Sequence, residues 1–137
     1  MSQATEDVTR PLGAARPLLD EPRRPNGAAV AASLAAAIGI VVMALVNVGT
    51  EASQGFKTFV HGVGKLWIPG AQGIGPYSGK ETFLLLGWLG SWAALHYLLR
   101  RRGVSGRTWG MSLTVLFLVG FALFWPPIFT WAAELLS

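Results

Sequence analysis

Residues 27 to 48 read "GAAVAASLAAAIGIVVMALVNV", without one charged side chain. At about 1.5 Å per residue this stretch makes a helix about 33 Å long, enough to cross a hydrocarbon core of about 30 Å. Its first half is almost entirely Ala, Gly and Ser. Two ridges recur at four-residue spacing, Ala28, Ala32, Ala36 and Ala31, Ala35, Gly39. In lipid, where packing rather than water exclusion drives helix association, such ridges let backbones approach closely. The stretch therefore reads as a membrane span built to touch another helix.

Composition extends that reading to the whole chain. Only 13% of the 137 residues are charged and 52% are hydrophobic, against about 25% charged in ordinary soluble domains. A second span is expected over 82–99, "TFLLLGWLGSWAALHYLL", and a third over 109–136, kinked at Pro126 and Pro127. A proline inside a helix removes a donor and clashes with the preceding turn, so the break belongs near Trp125. Trp125 and Trp131 suit one headgroup level and Trp109 the other. The expected fold is all-α, with three transmembrane helices and one amphipathic interfacial helix.

Ahead of the first span, residues 1–26 are polar and punctuated by Pro11, Pro17, Pro22 and Pro25. Too little apolar surface is present to offset ordering entropy, so a tail ordered at most against a partner is expected. The long apolar run that follows argues against a cleaved signal peptide, and Glu6, Asp7, Asp20 and Glu21 argue against a mitochondrial transit peptide.

The bases set an orientation. Arg10, Arg16, Arg23 and Arg24 share one side with the basic loop 100–108, which carries Arg100, Arg101, Arg102 and Arg107. Lys57, Lys65 and Lys80 fall on the other side. Positive-inside then places the N-terminus in the cytoplasm and the C-terminus outside, in a cytoplasmic (bacterial inner) membrane.

The loop 49–81 contains a patterned segment, 51–67, "EASQGFKTFVHGVGKLW". At about 100° per residue, Phe56, Phe59, Val60, Val63 and Trp67 share one face, while Lys57, His61 and Lys65 line the other. That segregation predicts a helix lying in the membrane interface or against another subunit, capped by Thr50 with Glu51 favourable near the start.

After it comes "GIGPYSGKETF", residues 73–83, which resembles a phosphate loop only superficially. The pattern GxxxxGK[ST] would need glycine where Ile74 stands and a hydroxyl where Glu81 stands. The segment instead predicts a turn and a helix start, with Ser78 and Glu81 as a capping box and Tyr77 and Lys80 at headgroup level.

Few residues offer chemistry. There are no cysteines and two histidines. His96 continues a stripe begun by Trp88 and Trp92, so it is a candidate ligand for haem or a chlorophyll-type pigment, against an interfacial histidine near Arg100. His61 lies in the opposite loop, which excludes a bis-histidine haem within the chain. Gly87, Gly90, Ser91 and Ala94 form a separate small-residue face on the second span. No ionisable residue falls mid-span, where proton relays and ion pathways need one.

The expected function is accordingly a non-catalytic accessory subunit, structural or stabilising, of a larger membrane complex. Energy-converting complexes of respiratory or photosynthetic electron transport are its expected home. The alternatives are a haem- or chlorophyll-binding protein using His96, and a complex assembly factor. The expected partners are other membrane subunits and lipid, with no nucleic acid, no nucleotide, and no cofactor or metal that the sequence requires.

Overall fold

The computed structural model describes residues 25–136, all helix and connecting turns among the described residues. The elements are α1 (Gly27–Ala52), α2 (Gln54–Lys65), α3 (Tyr77–Leu99), α4 (Gly106–Phe124) and α5 (Pro126–Leu136). A single 3-10 turn, Ala71–Gly73, lies between α2 and α3. Three helices, α1, α3 and α4, are long and apolar enough to cross a membrane. Most of the expected tail lies outside the described residues.

α1 is the hub. Both α3 and α4 pack along it rather than along each other, and α5 folds back to touch α1 and α4. The α1–α3 seam forms because small residues interdigitate. A Cβ added to Gly39 would lie 3.0 Å from the Trp88 Cβ, and one on Gly87 would lie 2.9 Å from Val42 Cγ2. α4 meets another side of α1, where Trp109 Nε1 donates to Ser33 Oγ at 2.8 Å. Higher along the same side, Gly120 rests on Ile40, with 3.3 Å available to a Cβ.

The helix ends show where sequence and structure part. α1 continues past Val48 to Ala52, because nothing in "GTEA" breaks it. Thr50 is thus buried in the last turn, its hydroxyl donating to the Asn47 carbonyl at 2.8 Å. The cap of α2 is Ser53, not Thr50: Ser53 is extended and its Oγ accepts from the Phe56 amide at 3.3 Å.

α3 begins at Tyr77, earlier than Thr82, and Pro76 occupies its cap position without a side-chain bond. The capping box expected from Ser78 and Glu81 therefore does not form. Ser78 lies inside the first turn, fully buried, with its Oγ directed to the Gly75 carbonyl at 3.5 Å. The preceding turn uses the two glycines of positive φ, Gly70 and Gly75, at 76° and 63°, a conformation that costs a side-chain-bearing residue but not glycine.

The break near the C-terminus sits at Trp125. Its backbone is extended (φ −69°, ψ 122°) because the following proline disfavours helical geometry there. Pro126 and Pro127 then open a separate helix, α5, where missing amides cost nothing. The 109–136 stretch is thus two helices, of which α4 alone has spanning length.

At the other end of the bundle the α3–α4 loop is tied to the start of α1. Asn26 Nδ2 donates to the Val104 carbonyl at 2.9 Å, and the Val104 amide donates to Asn26 Oδ1 at 2.8 Å. The Gly27 amide adds a bond to the Arg102 carbonyl at 3.1 Å. Asn26, the last residue assigned to the tail by sequence, is in fact a clamp between distant segments.

Candidate functional site

The two small-residue ridges of α1 have different fates. Ala31, Ala35 and Gly39 are buried, and Ser91 Oγ reaches from α3 toward the Ala35 carbonyl at 3.5 Å. Ser91 is held mainly by its own helix, donating to the Gly87 carbonyl at 2.6 Å. Ala28, Ala32 and Ala36 remain exposed. At about 100° per residue, the residues meeting α3 (Ala35, Gly39, Val42) and α4 (Ser33, Ile40) lie on nearly opposite sides of α1. Ala32 and Ala36 fall between these sides. On α3, Gly87 belongs to the seam, whereas Gly90 and Ala94 are exposed and nothing lies within 4 Å of a Cβ placed on Gly90.

His96 is half-buried and stacks on Trp92, ring centroids 5.5 Å apart. Trp92 and Trp88 are 42% and 39% exposed, and Trp88 borders the seam with α1 through its Cβ. The stripe therefore runs from the edge of the α1 seam at Trp88 to the half-buried His96. His61 is at the other end of the bundle, its Nε2 paired with the Ala71 carbonyl at 3.2 Å. Among the described residues no three potential metal ligands come together.

α2 is anchored more tightly than its sequence suggests. Val60, expected on the membrane face, is fully buried against α3. It sits there because Gly64 and Gly79 remove the side chains that would hold the helices apart. A Cβ on Gly79 would run into the Val60 carbonyl oxygen, and one on Gly64 into Ser78 Oγ. The rest of the apolar face borders that contact and stays partly exposed. Phe59 is 57% exposed and packs toward Phe83, one turn down α3, at 6.4 Å between centroids. Trp67 Nε1 donates to Thr82 Oγ1 at 3.2 Å. Phe56 lies over Gly49, and with Leu45, Val46 and Ala52 it lines an apolar groove of about 390 Å³ at the α1–α2 bend.

Lys80 is not splayed toward headgroups but tucked between α1 and α3, 4% exposed. Its Nζ donates to Asn47 Oδ1 at 2.7 Å and lies 5.3 Å from the centre of the Tyr77 ring. The signal that links them is register: α1 runs on past Val48, and α3 starts early enough to bring its first turn alongside.

Fold and surface together define a multi-pass helical protein with spans suited to a membrane. The chain matches no family model, no curated relative and no solved structure.

Proposed function

We propose that this chain is a non-catalytic accessory subunit that stabilises a larger membrane complex. The observation that carries the reading is the exposed ridge of Ala28, Ala32 and Ala36 on the central helix, of which Ala32 and Ala36 fall between the sides taken by α3 and α4. Lipid tails gain nothing special from alanine, whereas a second helix gains close backbone approach. In this reading a helix of another subunit lies on the ridge, the N-terminus is cytoplasmic, and the C-terminus is extracytoplasmic. α2 rests in the outer interface with Phe59 and Trp67 toward the acyl chains. Placement in a respiratory or photosynthetic complex of a bacterial inner membrane is by analogy alone.

The test is extraction from native membranes in mild detergent. The wild-type chain is expected to co-migrate with a stoichiometric partner; a chain that runs alone overturns the proposal, and one held only transiently points to an assembly factor. Ala32→Leu is expected to abolish co-migration while leaving the chain's own melting temperature unchanged. Ala35→Leu, on the internal seam, is expected to lower that temperature, because overpacking costs about 1–3 kcal/mol.

A second reading, pigment or haem binding, draws on the outward stack of Trp92 and His96. It requires a visible absorption band in the purified protein that His96→Ala removes. A chain without any such band ends it.

A further inference from the structure

We propose that the α3–α4 loop is a binding site for anionic phospholipid headgroups. Arg100, Arg101, Arg102 and Arg107 are all exposed there. Only residues 100–105 separate α3 from α4, so the loop stays close to the level at which both spans end. The Asn26 clamp and the Gly27 to Arg102 bond hold it down against the start of α1. Four guanidinium groups are thereby kept at the depth of lipid phosphates.

Nothing described in the chain neutralises them. The described acids are Glu51, Glu81 and Glu134. Glu51 ends α1 and Glu81 opens α3, both at the far end of the spans, and Glu134 belongs to α5, which folds back from that end of α4 and holds interactions of its own. As far as the described residues go, the charge is thus left for an external anion. Guanidinium matches a phosphate with two parallel hydrogen bonds, and a clustered set next to a span favours anionic lipid over zwitterionic lipid. The flanking aromatic rings fit the same depth. Tyr97 is largely exposed, with the Arg100 guanidinium carbon 5.9 Å from its ring centre. Trp109 sits on the opposite flank, and aromatic side chains of this kind favour the headgroup level. The inference concerns the spans and this loop, and it does not rest on the accessory-subunit reading.

The experiment is native mass spectrometry of the full chain in mild detergent, titrated with phosphatidylglycerol or with phosphatidylcholine of matched acyl chains. Phosphatidylglycerol is expected to bind more tightly by at least about a hundredfold. Each base near a membrane surface is worth about fivefold in binding. Arg101→Gln/Arg102→Gln/Arg107→Gln should therefore lose on the order of a hundredfold toward phosphatidylglycerol and little toward phosphatidylcholine. Lys57→Gln/Lys65→Gln should keep the preference. For the wild type, added salt should shrink it, a readout that does not depend on any variant folding. Equal affinity for the two lipids, a preference insensitive to salt, or one that survives the arginine substitutions overturns the proposal. So does equal competition by soluble glycerol phosphate, which would indicate a simple phosphate site. A preference seen only after Glu6, Asp7, Asp20 and Glu21 are neutralised would show the tail filling the patch, and also overturns it.

Discussion

Gly79→Ala is expected to release α2 from α3, at a cost of about 3 kcal/mol. The added methyl would meet the Val60 carbonyl oxygen, its carbon and its Cγ1. A flexible side chain can rotate aside, but a carbonyl in the middle of a helix cannot move without shifting the whole element. Val60 would then lose its burial and Ser78 its cover. Hydrogen exchange provides the measurement: amides of residues 54–65 should exchange much faster, while those in the middle of α1 and α3 stay protected. Unchanged protection in α2 would refute the claim that the helix is held by glycine contact. Gly62 supplies the contrast. Nothing lies within 4 Å of its missing Cβ, so Gly62→Ala should stabilise α2 by up to about 1 kcal/mol through helix propensity.

The second large effect is an asymmetry between Asn47 and Lys80. Asn47→Leu leaves the Lys80 ammonium tucked against α1 without the acceptor it meets at 2.7 Å. A donor stranded in this way loses a charge-assisted bond and keeps its desolvation penalty, about 2–3 kcal/mol together. Lys80→Met removes the charge while retaining an unbranched chain of similar length, so its cost should be well under half as much. Melting temperatures of the two variants in the same detergent decide the matter. If Lys80→Met is the more damaging change, the lysine contributes through its charge and not merely through occupancy of the site.

These sites also show what a sequence of this kind reveals. The all-helical class and the three spans were legible because charge-free runs of this length have few other fates. The seam was half legible: spacing marked Ala31, Ala35 and Gly39, but it marked Ala28, Ala32 and Ala36 equally well. Only the positions of α3 and α4 distinguish the inner ridge from the outer one. Helix ends were read less well. Thr50 and Ser78 each carry the chemistry of a cap, yet both lie within helical turns, because α1 runs on to Ala52 and α3 begins at Tyr77. The pairing of Lys80 with Asn47 had no local signature, since their separation in sequence is 33 residues. Amphipathic spacing likewise put Val60 with the lipid-facing set, and it is the close approach at Gly64 and Gly79 that turns it toward α3.

The clamp at Asn26 bears on the order in which the chain is built. Its partner, Val104, lies 78 residues later. During synthesis the first span emerges long before the residue that fixes its near end exists. Its seam with α3 can form before that point, but the tie at Asn26 must wait until Val104 has been made. The near end of α1 is thus fastened later than its seam with α3.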